Sequence, residues 1–267
     1  MEPQTGITVL YTRVERWECD HNDHWNTRFY ARTLQEASLA IKARYAVEYP
    51  PGHAGKTFNV RYYRELRVLD LVEVRSVRLQ QYTLHLLFCN GEIAASGIDY
   101  TFCCEQLPEI SAESAASVLP RGTQFPAQVS EIAGFNFSPT PLGRVSSLDM
   151  DDEHGIRQEI LVRHCAMANT VFMNQLGLTA DWRRERQYGF MAAEMGYTEV
   201  NPVLPGMALQ AYSRITKYKP KSLSIEHLLT TPDETPVVHI QMVQLCVNLA
   251  TRKVVTLDLS GLGLAHQ

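Results

Sequence analysis

Residues 26–45 read NTRFYARTLQEASLAIKARY, and residues 157–176 read RQEILVRHCAMANTVFMNQL. In the first stretch Tyr30, Leu34, Ala37, Ile41 and Tyr45 recur at steps of 4, 3, 4 and 4. In the second, Leu161, Cys165, Ala168, Phe172 and Leu176 repeat those steps, each 131 residues further on. That spacing places the side chains on one face of an α-helix. The first helix follows Asn26 and ends before the breaker Pro50-Pro51-Gly52, and Gly177 stops the second.

Strand-like runs follow both helices. After the first, Phe58, Val60 and Tyr62 alternate with polar residues, as do Val72, Val74 and, with a slip, Val77. Leu84, Leu86 and Phe88 alternate again, Asn90-Gly91 is a hairpin turn, and a strand runs from Ile93 to about Cys104. After the second helix come residues 188–200, 207–219, 223–229 and 237–247, with a closing strand that includes Val254, Val255 and Leu257. Each half reads as strand, long helix, then antiparallel strands. Between them residues 105–140 carry Pro108, Pro120, Pro126 and Pro139 and read as a crossing linker. The sequence thus predicts an α+β chain: an N-terminal unit at 1–104, the linker at 105–140, and a C-terminal unit at 141–267.

Composition narrows the class. The chain has 267 residues, a net charge of −4, 45% apolar and 20% charged residues. That suits a globular core and excludes a disordered chain or a strongly basic nucleic-acid binder. The start, Met1 to Gly6, has no basic region ahead of an apolar stretch, and no run approaches the length of a membrane span. Cys19, Cys89, Cys103, Cys104, Cys165 and Cys246 contain no C-x-x-C pair and read as reduced thiols. A cytoplasmic protein without membrane or nucleic-acid partners is expected.

The densest polar segment is Trp17-Glu18-Cys19-Asp20-His21-Asn22-Asp23-His24-Trp25-Asn26-Thr27-Arg28-Phe29-Tyr30. It joins the first strand to the first helix. The first N–H groups of a helix lack intrahelical partners and polarise a carbonyl or hold an oxyanion. Asp20, on the approach, is placed to attack that carbonyl or activate a water, and Glu36 lies two turns into the helix.

Asp20-His21-Asn22-Asp23-His24-Trp25-Asn26, followed by Tyr30 and Glu36-Ala37, resembles the hotdog-fold acyl-CoA thioesterases of the 4-hydroxybenzoyl-CoA type. Glu18 and Asp20 supply that family's acidic pair, and Asp23 stands where the family usually has glycine. With the motif in one half and the strand order in both, the chain resembles a tandem double hotdog, each antiparallel sheet wrapped around one long helix and the two fused as a pseudo-dimer. The resemblance implies hydrolysis of an acyl-CoA or acyl carrier protein thioester; no cofactor and no metal are expected. Asp20 would be nucleophile or general base, assisted by Glu36 and His24. Asn26, Thr27, Arg28 and Tyr30 would bind the substrate and polarise its carbonyl. A homo-oligomer of such fused pairs is compatible with it.

The second copy differs. Asp151 stands 131 residues after Asp20, but Met167 takes the place of Glu36 and Gly155 that of His24, with His154 one residue off. One working site is expected, the other altered, with Met167, Phe172 and Met173 shaping a pocket or forming core. Lys217, Lys219 and Lys221 alternate and are candidates for a nucleotide phosphate, and Arg183, Arg184 and Arg186 form a second cluster. Two other functions are weighed: a hotdog hydroxyacyl-thioester dehydratase or hydratase, and a non-catalytic acyl-thioester binding module. Asn201-Pro202-Val203-Leu204-Pro205-Gly206-Met207 resembles a dehydratase element but leads into an alternating strand, so Pro205-Gly206 reads as a strand-entry turn. The H-x-x-H spacing of His21 and His24 lacks a third ligand for a metal. Gly261-Leu262-Gly263 has no helix after it, no Walker A motif is present, and no Gly-x-Ser-x-Gly offers a serine nucleophile.

Overall fold

The computed structural model describes residues 6–20, 22–47, 56–123, 132–135, 138–151 and 155–257. His21, His154, the Pro50-Pro51-Gly52 breaker and Gly261-Leu262-Gly263 lie outside them. The first half supplies β1 (Ile7–Arg13), α1 (Thr27–Tyr45), β2 (Thr57–Tyr62), β3 (Leu71–Leu79), β4 (Tyr82–Cys89) and β5 (Glu92–Asp99). The short α2 (Ala112–Ala115) follows. The second half supplies β6 (Thr140–Arg144), α3 (Gln158–Gln175), α4 (Ala180–Arg186), β7 (Tyr188–Glu199), β8 (Ala208–Lys219), β9 (Ser222–Thr230), β10 (Pro236–Asn248) and β11 (Lys253–Val254). Both long helices fall where the 131-residue spacing predicts them. The strand after Asn90-Gly91 ends at Asp99 rather than near Cys104, and α4 is an addition the apolar pattern does not announce.

All the strands join one sheet in the order β1-β3-β4-β5-β2-β7-β10-β9-β8-β6, with β11 beside β10. Read from each edge inward the two halves match: β1 answers β6, β3 answers β8, β4 answers β9, β5 answers β10 and β2 answers β7. The halves meet through antiparallel pairing of β2 with β7, where Phe58 faces Tyr197 and Val60 faces Met195. This is two hotdog units sharing one sheet, each with its own long helix.

Packing follows from that sharing. The main core takes Leu34 and Ala37 from α1, Cys165 and Phe172 from α3, and Phe58, Val60, Met195 and Tyr197 from the central strands, all buried. At about 25 cal/mol per Å² of buried apolar surface, a core continuous across both halves ties their stabilities together. A second cluster holds Val77, Leu84, Leu86, Phe88 and Ile98 under Ile110, Ala115 and Val118 of the linker region. The linker is pinned there by polar contacts. The Ser117 and Leu119 carbonyls accept from Arg61 at 3.1 and 3.0 Å, and the Arg121 N–H donates to Glu194 at 2.9 Å. All six cysteines are unpaired. No helix among the described residues is long and apolar enough to cross a membrane.

Candidate functional site

The loop from β1 to α1 is built on Glu18, which is 2% exposed. Its carboxylate accepts from the Glu15 N–H at 3.2 Å and from Trp25 Nε1 at 2.8 Å, and it pairs with Arg32 of α1. Glu18 is therefore a strut that straps the loop to the helix. Beyond it the chain reverses tightly. Asp20 and His24 bond through their backbones at 2.8 Å, and Asp20 Oδ1 accepts from the N–H groups of Asn22 at 2.8 Å and His24 at 3.1 Å. Asp23 takes φ 60°, the left-handed conformation that glycine adopts freely and aspartate tolerates better than most residues. The substitution at the family's glycine position thus preserves the turn.

Asn26 caps α1, its Oδ1 accepting from the Arg28 N–H at 3.1 Å, while its own N–H goes to the Glu18 carbonyl at 3.0 Å. Phe29 N–H goes back to the Asn26 carbonyl. Of the first N–H groups, that of Thr27 has no hydrogen-bond partner among the described residues. The expected carbonyl-polarising group narrows to this one.

Asp20, His24, Asn26, Thr27 and Tyr30 line one cavity of about 420 Å³. That is within the usual range for small-molecule sites. It lies between the first unit's loop and the second unit's α3, β7 and β10, and Ala166, Asn169, Met173, Met195 and Met242 complete much of its wall. Tyr30 is a wall rather than a polar contact. Its hydroxyl donates to the Arg64 carbonyl at 3.2 Å and accepts from the Leu66 N–H at 3.1 Å, and burial pushes its pKa up. Cys165 also lines the cavity, but burial pushes its thiol to about 12, so it is no thiolate nucleophile near neutral pH. His24 is buried and its Nε2 lies 3.0 Å from Glu65, which also stands 3.5 Å from Arg252 of the second half. Arg64, Arg183 and Arg252 put three cations on the same lining.

Other candidates stand apart. Glu36 does not line this cavity. It is half-exposed beside Arg32, and its carboxyl is pushed up by burial and by the charges of Glu159 and Glu18 against the pull of Arg32. The reason is geometric: Glu36 is nine residues past Thr27, about 14 Å along the axis, and Glu159 belongs to the start of α3. Arg28 lays its guanidinium on the Phe29 ring at 4.4 Å instead of entering the cavity. Lys217 and Lys219 line a different cavity with Arg121 and Glu226, and Lys221 sits in the turn between β8 and β9. None of the three borders the Asp20 cavity.

The second unit repeats the loop's main bonds. Asp151 and Gly155 bond through their backbones at 2.8 Å, Asp151 Oδ1 accepts from the Gly155 N–H at 2.9 Å, and the Arg157 N–H goes to the Asp149 carbonyl at 2.9 Å. Here the space is filled. Gln35 of α1 accepts from the Gln158 N–H at 2.9 Å and donates to Asp151 Oδ2 at 2.6 Å. Lys56 pairs with the same carboxylate. A Cβ at residue 155 would come within 2.7 Å of Lys56, so glycine in place of His24 makes room for the lysine. Gln158 stands 131 residues after Thr27, and Ala166 stands 131 after Gln35. Where the closed loop meets a glutamine, the open one meets a methyl group.

The fold and cleft define a hotdog protein of two units, one of whose two equivalent loops opens onto a cavity. Residues 145–260 match the thioesterase-like superfamily, so the likeness read from residues 18–37 of the first unit is matched independently in the second. No curated protein sequence matches the chain. Among solved structures the chain is similar to a Lactobacillus plantarum protein assigned as an oleoyl thioesterase, at 12% identity over 92% of this chain and 98% of that one, TM-score 0.58. It is also similar to the 12:0-ACP thioesterase of Umbellularia californica, at 11% identity over 88% and 92%, TM-score 0.55. An acyl-ACP thioesterase of Bacteroides thetaiotaomicron matches at 8% identity over 88% and 96%, TM-score 0.59. These likenesses establish the fold.

Among the missed residues, Gln35 and Ala166 were accessible to the 131-residue comparison once it is known that each helix faces the other unit's loop. Glu65, Arg252 and Gln244 reach the cleft through strand pairing that no local pattern encodes.

Proposed function

We propose that the chain hydrolyses acyl thioesters in the cleft of Asp20, with the thioester carbonyl on the Thr27 N–H. One observation carries this reading. In the closed loop the Gln35 amide lies between the Gln158 N–H and the Asp151 carboxylate, a carbonyl group held between the two equivalent elements. In the open cleft a substrate carbonyl takes that place. Its oxygen accepts from Thr27, where the helix dipole favours the charge that develops as the carbon becomes tetrahedral. The Asp20 carboxylate then acts in one of two balanced ways. It removes a proton from a water whose oxygen bonds to the carbonyl carbon, or it bonds to that carbon itself. In either case the C–S bond breaks, the thiolate leaves, and in the second case water hydrolyses the resulting anhydride. His24, held by Glu65, positions Asp20 through its backbone N–H.

Arg64, Arg183 and Arg252 suit the phosphates of coenzyme A or of a carrier protein's pantetheine arm, in place of the three lysines. The likeness to the thioesterase-like superfamily and the fold shared with acyl-ACP thioesterases support the substrate class. The test is release of free thiol from a panel of short, long and aromatic acyl-CoAs, with Asp20→Asn beside the native protein. Turnover lost in Asp20→Asn is the expected result. Equal turnover in both, or none in either, would overturn the reading.

A further inference from the structure

Lys217 and Lys219 take no part in the Asp20 cleft, and the sheet register shows where they point instead. Lys217 stands opposite Ser224 and Lys219 opposite Ser222, and on β10 Val243 stands opposite Ser224. Residues directly opposite share a face of the sheet, and successive residues of a strand alternate between faces. Val243 therefore looks to the lysine face, and its neighbour Gln244 to the other, where it lines the Asp20 cavity. The two lysines, the two serines and Val243 floor a second cavity of about 360 Å³, across β10 from the cleft.

The linker builds the rim. Glu194 of β7 accepts from the N–H groups of Arg121 at 2.9 Å and Gly122 at 2.5 Å. A Cβ at residue 122 would come within 2.6 Å of Val243, so glycine lets the linker lie directly on the sheet. Arg121 thereby borders the cavity from the side opposite the lysines. Lys217, Lys219 and Arg121 are exposed, and none is joined to an acid among the described residues. Glu226 is the one acid among the described lining residues, and its charge is already countered. Arg214 holds its Oε2 at 2.7 and 2.8 Å, and Gln241 donates to its Oε1 at 3.3 Å. Three uncompensated cations around one concavity favour an anion there.

Charge and spacing select the anion. A phosphate monoester carries about −1.5 to −2 at pH 7, so three cations suit more than one phosphoryl group. Lys217 and Lys219 stand ~6.7 Å apart along β8, two separate ammonium groups for two phosphoryl groups. Arg121 offers a planar fork from the other side, and Ser222 and Ser224 add hydroxyl donors between. A carboxylate would offset only one of the three cations. The cavity's size suits a small molecule rather than a protein face.

We propose that this cavity binds a small molecule carrying a diphosphate, a ligand separate from the thioester in the cleft. The inference does not depend on the hydrolase reading, since no residue of the Asp20 loop enters it.

The experiment is calorimetric titration at constant ionic strength with pyrophosphate, ADP and inorganic phosphate. Pyrophosphate or ADP should bind more tightly than inorganic phosphate. Lys217→Gln combined with Lys219→Gln should weaken that binding about tenfold. Ser224→Asp, which sets a carboxylate opposite Lys217, should weaken it as well, while Arg183→Gln in the cleft should leave it unchanged. Tighter binding of ADP than of pyrophosphate would uphold the inference with an organic diphosphate as the source, and the reverse order would uphold it with an inorganic one. No binding of either, inorganic phosphate bound as tightly as pyrophosphate, or affinity kept in the double lysine variant would overturn it. So would an equal loss in Arg183→Gln, which would place the anion in the cleft.

Discussion

Replacing Ala166 with glutamine would give the open cleft the group that fills the closed one. Gln35 makes two contacts in the second unit, 2.6 Å to the Asp151 carboxylate and 2.9 Å from the Gln158 N–H. A glutamine at 166 finds Asp20 and Thr27 in the equivalent positions. A hydrogen bond to a carboxylate contributes about 1.5–3 kcal/mol and a neutral one about 0.5–1.5, against roughly 1.5–2 for ordering the side chain. The net is about 0–3 kcal/mol, centred near ~1.5, which a substrate must overcome to enter, so kcat/KM should fall about tenfold and by no more than ~150-fold. Lys56 has no basic equivalent, since β2 and β7 correspond at a spacing of 137, Tyr63 and Val200 donating to Ala94 and Val237 alike, and residue 193 is alanine; this argues for a fall well short of that limit. The assay is steady-state thiol release by Ala166→Gln, with Ala166→Ser as a control too short to reach the loop, and thermal melting on each. Ala166→Gln should lose activity while melting no lower than the native protein. If it keeps activity within twofold, the carbonyl does not sit between Asp20 and Thr27 and the symmetry argument fails.

Other consequences concern the closed loop, the reaction route and pH. Lys56→Met should remove the lysine paired with the Asp151 carboxylate and destabilise the fold by ~2–4 kcal/mol in urea titrations, with Asp151→Asn in the same chain restoring most of the loss. Single turnover in ¹⁸O-water should label the product acid if water attacks the thioester directly; if the carboxylate is the nucleophile and water opens the anhydride at Asp20, the first turnover should label Asp20 and leave the product acid unlabelled until later turnovers, so product label in the first turnover with none in Asp20 would exclude that second route. His85 and His227 are fully buried, and burial lowers both to about 3 from an ordinary 6.5. Their folded pKa values lie below the unfolded ones, so stability present above pH 6.5 is lost as pH falls from 6.5 towards 3. The slope is up to ~1.4 kcal/mol per pH unit for each histidine. Urea midpoints at pH 7, 6 and 5 should decline, and less so in His227→Gln; a flat profile would contradict the assignment.

Much of the fold was written in local patterns. The helix stripes, the Asn90-Gly91 turn and Gly177 depend on neighbours in sequence, and the 131-residue spacing carried the duplication. The site was legible where a single loop builds it, so Asp20, Asn26 and Thr27 fall together. Glu36 was misplaced because α1 turns its middle towards the other unit's loop, a fact of helix–helix packing. The lysine cluster was misread because alternation on β8 fixes a common face but not which face looks into the cleft. Gln244 and Glu65 reach the cavity only because β2 and β7 join the two halves into one sheet. His85 and Ser76 are similar: their contact at 2.7 Å spans β3 and β4, and Ser213 and His227 repeat it at 2.7 Å in the second unit.

The central claim is that a thioester carbonyl binds between the Thr27 N–H and the Asp20 carboxylate. A crystal structure with an acyl-CoA analogue whose sulfur is replaced by methylene tests it directly. The ketone oxygen should lie at about 3 Å from the Thr27 nitrogen, its acyl chain running past Met195 towards Gln244. An analogue seated against Lys217 and Lys219, or with its ketone away from Thr27, would contradict the account.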